Sequence, residues 1–111
     1  MNSLDEIKHY LRQFAKERDW EKFHSPKNLS MALSVEVAEL VEHFQWLSEK
    51  ESSELNAEKK QAVAEEIADI QLYLLRLADQ LDIDVLDVVK AKTKKNEQRF
   101  PPEKVRGRAD Y

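Results

Sequence analysis

The sequence predicts an all-α protein, on the evidence of its composition and its apolar spacing. The 111 residues include one glycine and three prolines, all outside the segments with regular apolar spacing. Those segments repeat apolar residues at intervals of three and four, as helices do, and no stretch alternates like a half-buried strand. Helices with an apolar stripe must pack against one another, so we expect a four-helix bundle forming a single domain over residues 1–111.

Two helices and their connections are predicted in the first half of the chain. The first helix runs to about residue 19, and Ser3-x-x-Glu6 at its start is typical of a capping box. A loop follows and is closed by Pro26, because proline is accepted at the start of a helix but not inside one. The expected ranges of this loop, the second helix and the polar connection after it are 20–27, 28–47 and 48–56.

The third helix, about residues 57–81, has the clearest periodicity and predicts an oligomer. Its apolar stripe consists of Val63, Ile67, Ile70, Leu74, Leu77 and Leu81. A second face carries Ala64, Ala68, Leu72 and Leu75. A helix that is apolar on two faces needs cover on both sides. In a chain of this length, the second cover is most easily another subunit.

The fourth helix begins after Asp84, a good N-cap residue, and ends near Asn96. An irregular basic tail is expected over residues 97–111, since Pro101 and Pro102 interrupt any helix there. Lysine and arginine dominate residues 90–108. This segment is either a solvated basic tail or a cover that folds over an acidic site and holds a polyanionic substrate.

Composition and charge exclude several classes of protein. The formal net charge of −4 argues against general nucleic-acid binding, and the absence of cysteine excludes disulfides and zinc–thiolate sites. No apolar run is long enough to span a bilayer, and the first residues lack the apolar core of a signal peptide. We therefore expect a cytoplasmic protein with neither a membrane nor a nucleic acid as its partner.

Two acidic pairs, Glu36-x-x-Glu39 and Glu66-x-x-Asp69, interrupt helices that otherwise have the pattern of a core. Residues three apart lie on one face of a helix, about 4.5 Å apart along its axis. Two such helices side by side would direct four carboxylates into one volume, which a hard cation such as Mg²⁺ stabilises. A single glutamate is more often a surface residue than a ligand, but two pairs flanking core stripes favour a metal site. His43 is either a fifth ligand or a polar neighbour.

The segment around Trp20 and His24 is rich in aromatic and polar groups for a loop. It is either a structural cap on the bundle or one wall of a nucleobase site, because flat aromatic faces stack on bases. Trp46, at the edge of the second helix, is a candidate for the opposite wall.

Together, these residues resemble the all-α nucleoside-triphosphate pyrophosphohydrolases, the MazG-like superfamily, whose signature is ExxE followed by ExxD. Residues 18–46, RDWEKFHSPKNLSMALSVEVAELVEHFQW, are similar to the deoxycytidine-triphosphate pyrophosphatase branch, as is the end of the fourth helix with Lys92, Asn96 and Arg99. The resemblance extends over nearly the whole chain. One departure is Leu11, where animal relatives have a base-contacting histidine, which leaves the base preference open.

The resemblance implies Mg²⁺-dependent hydrolysis of a (deoxy)nucleoside triphosphate, such as dCTP or a modified nucleotide, to monophosphate and pyrophosphate. Mn²⁺ could replace Mg²⁺, and the assembly would be a homotetramer built as a dimer of dimers. The implied metal ligands are Glu36, Glu39, Glu66 and Asp69; the implied phosphate contacts are Lys92, Asn96 and Arg99; the implied base pocket is Trp20, His24 and Trp46. We expect Glu39 to act as the general base, with Glu36 as the other catalytic carboxylate.

Two other classes of protein stay open at this stage. One is a non-enzymatic helical oligomer, an antitoxin or a scaffold, whose carboxylates form salt bridges between subunits. The other is a carboxylate-bridged di-iron bundle, which requires Glu-x-x-His on inward helix faces. Such a spacing occurs at Glu21-x-x-His24, which falls in a loop, and this counts against the di-iron bundle.

Overall fold

The structure is a computed structural model in which residues 1–109 are described. Its regular secondary structure in that range is helical, with no strand. Its helices are α1 (Leu4–Glu17), α2 (Pro26–Glu42), α3 (Glu49–Ser52), α4 (Ala57–Gln80), α5 (Val85–Arg99) and α6 (Pro102–Val105), with a 3₁₀ turn at Glu21–Phe23. The all-α prediction is confirmed. No helix among these residues has the length and apolarity needed to cross a bilayer, and the cytoplasmic location stays a prediction.

Polar side chains begin the helices, since the first backbone N–H groups of a helix lack partners within it. Asp84 accepts from the Asp87 N–H at 3.0 Å, as predicted. Only one of the two hydrogen bonds of the predicted capping box at Ser3 forms. Ser3 accepts from the Glu6 N–H at 3.1 Å, but the Glu6 carboxylate accepts from the Asn2 N–H at 2.8 Å. A complete capping box occurs instead at the start of α3.

Helices α1 and α4 end in the same way, on an aspartate in the left-handed region. Asp19 has φ 55° and Asp82 has φ 54°. After α1 the Asp19 and Trp20 N–H groups donate to the Lys16 and Ala15 carbonyls at 3.1 and 2.9 Å. After α4 the bonds follow the same pattern, and both ends are Schellman motifs. These turns fix the direction of the chain that leaves each helix.

The packed part of the molecule consists of three helices. Helix α4 packs mainly against α2 and less extensively against α1, while α5 makes at most marginal contact with any other described helix. The fully apolar interior is small and comprises Ala15, Leu29, Val63, Leu75 and Ala78. The radius of gyration, 17.5 Å, exceeds the value of about 13 Å expected for a compact chain of this length. Helix α5 therefore projects from the body of the molecule.

Within the chain, the apolar stripe predicted for α4 is buried only in part. Val63 is buried, but Ile67, Leu74 and Leu81 are 41–50% exposed. The face buried within the chain carries Leu75 and Ala78 instead, because α1 and α2 both pack on that side. The chain thus leaves the regular stripe of α4 open in part, at Ile67, Leu74 and Leu81.

Two predicted boundaries are also wrong. Helix α2 ends at Glu42, not near residue 47, and residues 43–47 form tight turns before the Ser48 cap starts α3 in a new direction. The predicted irregular tail begins three residues too early, because α5 continues to Arg99 rather than ending near Asn96. The tail also contains one helical turn, α6, since Pro102 occupies the first helical position, where its missing N–H is not needed. Asp110 and Tyr111, the end of the predicted tail, lie outside the described residues.

Candidate active site

The acid cluster is formed by Glu36 and Glu39 on α2 and Glu66 on α4. One carboxylate oxygen from each of the three lies within 4.8 Å of the others, and all three side chains are half-buried. The close packing of α2 on α4 brings the two acidic edges together. The predicted convergence of the ExxE and ExxD segments is visible in this geometry, and ligation by these residues stays a prediction.

The electrostatics of the acid cluster are unfavourable without a cation. The pKa of Glu36 is raised from its ordinary 4.5 to about 7, first by burial, then by a hydrogen bond shared with Glu66, and then by the charges of Glu39, Asp69 and Glu66. The Oε2 atoms of Glu36 and Glu66 are inaccessible and have no hydrogen-bond partner. A buried oxygen without a partner is destabilising. The carboxylates therefore repel one another and lack compensation.

A divalent cation fits this donor set. Mg²⁺ and Mn²⁺ prefer carboxylate oxygens, and a cation between the helices would satisfy both isolated oxygens and remove the repulsion. Among residues 1–109 no lysine or arginine forms an ion pair with the carboxylates of the acid cluster or with Asp69. The positive charge that the acid cluster needs thus has no source within the described chain.

Asp69 lies beside the acid cluster rather than within it. It contributes to the raised pKa of Glu36, but its carboxylate does not join the three mutually close oxygens. It also lines an adjacent pocket of about 190 Å³. The other lining residues are Leu11, Phe14, Trp20, His24, Leu29, Leu72, Tyr73 and Arg76. Asp69 is therefore where the acid cluster and this largely apolar pocket meet.

The end of α1 positions Trp20 at the pocket. The Schellman motif directs the chain back toward α1, and the indole packs edge-on against Phe14 with ring centroids 5.8 Å apart. Trp20 remains 44% exposed, so much of the ring is free to contact a ligand. The aromatic loop predicted from the sequence is thus a wall of the pocket.

His24 is held against α4 at two points. The Arg76 Nε donates to His24 Nδ1 at 3.2 Å, and the Gln80 Nε2 donates to the His24 carbonyl at 2.7 Å. Burial, and then the positive charge of Arg76, lower the pKa of His24. The imidazole is therefore neutral near pH 7. Because its Nδ1 lone pair already accepts from the Arg76 guanidinium, His24 is a poor candidate for an iron ligand, which weakens the di-iron alternative further.

Arg76 is the pocket residue that sequence reasoning missed. It is 6% exposed and lies near the C-terminal end of α4. A signal existed: Glu66, Asp69, Tyr73 and Arg76 recur at intervals of three, four and three, which places them on one edge of α4. Glu66 and Asp69 were expected to share a face of this helix, and Tyr73 and Arg76 continue that face.

The remaining predicted site residues are not brought to this pocket by the single chain. Trp46 is 88% exposed in the turns after α2, because the helical spacing that related it to Glu39 stops at Glu42. None of Lys92, Asn96 and Arg99 on α5 lines the pocket or belongs to the acid cluster. His43 lies at the end of α2 and does not join the three carboxylates.

Comparison with protein families decides the kinship of this chain. The family model described as MazG-like family matches residues 31–110, which include the acid cluster, Asp69 and all of α5. The chain belongs to the MazG-like family. The resemblance seen in the ExxE and ExxD segments is thereby confirmed.

Comparison with individual proteins indicates which branch of the MazG-like family the chain resembles. The chain is similar to dCTP pyrophosphatase 1 of Rattus norvegicus, with 41% identity covering 96% of this chain and 64% of the relative. The Homo sapiens protein of the same name is 39% identical, covering 89% and 59%. The chain thus spans less than two thirds of these mammalian relatives. A crystal structure of a pyrophosphatase from Archaeoglobus fulgidus matches with a TM-score of 0.82 and 46% identity, covering 87% of this chain and 91% of that one.

Proposed function

We propose that this chain hydrolyses a (deoxy)nucleoside triphosphate, dCTP or a related modified nucleotide, to the monophosphate and pyrophosphate. The observation that carries the proposal is the acid cluster with its two isolated buried oxygens beside an aromatic pocket. The names of its mammalian relatives and of the archaeal structure support the same reaction. Removal of unwanted nucleotides from the pool is a role consistent with it.

Glu36, Glu39 and Glu66 would hold the divalent cation, Mg²⁺ or Mn²⁺, with Asp69 completing the set from the pocket side. When bound, the cation supplies neutralising charge for the triphosphate and makes water a stronger nucleophile. Glu39 is our candidate general base, taking the proton of the attacking water on its carboxylate. Unlike Glu36 and Glu66, it has no oxygen that is both buried and without a partner, so within the acid cluster it is the carboxylate that depends least on the cation.

The pocket beside the acid cluster would receive the base. Its volume, about 190 Å³, is smaller than the roughly 300–1,000 Å³ of sites for drug-sized ligands, and it suits a single planar ring. Trp20 offers a face for stacking, which contributes about 1–3 kcal/mol per base in single-strand recognition. Leu11 makes one side of the pocket apolar.

A second copy of the chain would complete the site. The pocket of the single chain is not lined by Trp46 or by the α5 residues Lys92, Asn96 and Arg99. The open part of the α4 stripe and the apolar residues of α5 are exposed. Packing of these faces between copies would place helices of two chains side by side. It would also bring the α5 residues that we expect to bind phosphate to the acid cluster of a neighbouring copy. We propose a homotetramer, a dimer of dimers, as this assembly.

The antitoxin or scaffold alternative is less well supported. It requires the carboxylates to form salt bridges with lysine or arginine of another subunit. None of the described basic residues pairs with them within the chain, so this alternative depends wholly on a second copy. A structural role also leaves the pocket beside the acid cluster without a purpose. The two functions differ in whether any nucleotide is consumed.

The test is incubation of the protein with Mg²⁺ and each common deoxynucleoside triphosphate, followed by separation of the products by anion exchange. We expect monophosphate and pyrophosphate in equal amounts, with the highest rate on a pyrimidine nucleotide. Glu39→Gln should abolish turnover. Glu42→Gln, an exposed position on the same helix, is the matched control and should retain it.

Two results would contradict the proposal. Intact triphosphates across the panel, including modified cytosine nucleotides, would favour the non-enzymatic oligomer. Formation of diphosphate and inorganic phosphate would mean that the bond cleaved is a different one.

A further inference from the structure

Arg76 holds the His24 imidazole through a bond whose direction is unambiguous. A guanidinium is protonated at any physiological pH and has no acceptor atom, so at 3.2 Å its Nε can only donate to His24 Nδ1. Nδ1 must then be unprotonated. In a neutral imidazole the proton therefore resides on Nε2.

The surroundings keep His24 in this one form. Burial and the nearby positive charge both disfavour a second proton on the ring, and they therefore lower the pKa of His24. Nε2 has no hydrogen-bond acceptor within the described part of the chain. His24 also lines the pocket, so its free N–H is available to a ligand there.

Arg76 is itself fixed by a second layer of charge. Its Nη1 lies 3.6 Å from Asp79 Oδ2. The same carboxylate accepts two hydrogen bonds from Arg12, at 2.7 and 2.6 Å. Gln80, one residue further along α4, holds the backbone of His24. The guanidinium therefore cannot turn away from the imidazole without breaking an ion pair that is almost wholly buried.

We propose that Arg76 is a positioning residue for base selection: it locks His24 as a hydrogen-bond donor at Nε2, so that the pocket favours a base with a ring acceptor, an unprotonated nitrogen or a carbonyl oxygen, on the edge it presents. This inference rests on the proposed function, in which the pocket holds a nucleobase. Without Arg76 the ring can exchange tautomers and accept as well as donate. Discrimination between bases with acceptor and donor edges should then weaken.

The tautomer is measured directly by ¹⁵N NMR of the imidazole, assigned with His24→Gln. We expect the Nε2–H form alone in the wild-type protein near pH 7, and a mixture of tautomers in Arg76→Met. Arg76→Lys retains a charged donor and should restore the Nε2–H form at least in part. Arg12→Met removes the other cation of the network without touching His24, and should match the wild type.

Base selection is measured by equilibrium binding of deoxynucleoside monophosphates, which does not depend on turnover. We expect the ratio of Kd values between the weakest and the tightest base to fall at least fivefold in Arg76→Met and to stay within twofold in Arg12→Met. A wild-type protein that binds these probes but cleaves no triphosphate would remove the proposed reaction and leave this inference standing.

Three results would overturn the inference. An Nδ1–H tautomer in the wild-type protein would do so even if every Arg76 variant failed to fold. A folded Arg76→Met with an unchanged ratio of Kd values would show that Arg76 is merely structural. Failure of the wild type to bind any of the monophosphates would remove the base from the pocket.

Discussion

At the scale of single residues, the molecule concentrates its electrostatic strain at one place. Burial, a hydrogen bond shared with Glu66 and the charges of Glu39 and Asp69 raise the pKa of Glu36 to about 7. Elsewhere the buried charges are compensated, as in the contact of Arg76 with Asp79. Strongly perturbed carboxyls beside a pocket are typical of functional sites, since a folded core does not need them.

The raised pKa of Glu36 gives the metal-free protein a characteristic pH dependence. Between its ordinary value of 4.5 and its folded value of about 7, the folded chain holds a proton that the unfolded chain releases. Stability from this group is complete below the lower value and is lost as the pH rises through the upper one. In EDTA, the free energy of unfolding measured in urea should therefore fall from about pH 5 to about pH 7.5.

Glu36→Gln should flatten this dependence, because the amide does not titrate. Glu42→Gln should keep it, since Glu42 is exposed on the same helix. Equal slopes in the wild type and in Glu36→Gln would show that the acid cluster is not strained in the way its geometry indicates.

At the scale of the helices, the starts were easier to predict than the ends. Ser3 and Asp84 are recognisable N-cap residues in the sequence, and both cap their helices. Neither Schellman motif was predicted, because aspartate in the left-handed region is uncommon and glycine is the usual signal. The end of α2 at Glu42 depends on the helix that follows it. Helical spacing alone therefore predicted Trp46 on a face of α2, although Trp46 lies beyond the end of that helix.

The left-handed aspartate after α4 leads to a stability prediction. Asp82→Gly removes the contact between Cβ and the following carbonyl, and we expect the free energy of unfolding to rise by about 0.5–1 kcal/mol. Asp82→Ala keeps Cβ but loses the local tolerance of aspartate for this conformation, so it should be less stable than the wild type. Urea denaturation of the three proteins checks both. A glycine variant less stable than the alanine variant would contradict the strain argument.

Whether a part of the site could be predicted depends on how the two helices or turns that form it are related in the sequence. The ExxE and ExxD segments could be placed from spacing, since residues three apart share a helix face and α2 and α4 are near neighbours in the chain. The bond between Arg76 and His24 joins residues 52 positions apart, and its existence depends on the turn that ends α1. Local periodicity carries no information about such a contact.

At the scale of the whole molecule, the exposed apolar faces indicate assembly. Leu86, Val88 and Val89 are each at least half exposed on a helix that projects from the body. Together with the open stripe of α4 they exceed the scattered apolar residues of an ordinary surface. In the proposed assembly, the exposed part of the α4 stripe would pack against another copy rather than in the core of one chain.

Assembly through α5 has a direct test by sedimentation velocity. We expect the wild type to sediment as an oligomer and Val89→Glu to sediment as a smaller species, because a charge on this face would have to be desolvated. Lys94→Glu places the same side chain on the other side of the helix and should leave the oligomer intact. A wild-type monomer at micromolar concentration would contradict the proposed assembly and the completion of the site by a second copy.

The central claim is that the acid cluster holds a divalent cation, and the melting temperature in increasing Mg²⁺ tests it most directly. Binding to the folded state alone stabilises it by mass action, by about 2.7 kcal/mol at one hundred times the dissociation constant. We expect a saturable rise in the melting temperature for the wild type and for Glu42→Gln, and none for Glu39→Gln. No rise in the wild type, or an equal rise in Glu39→Gln, would contradict the claim.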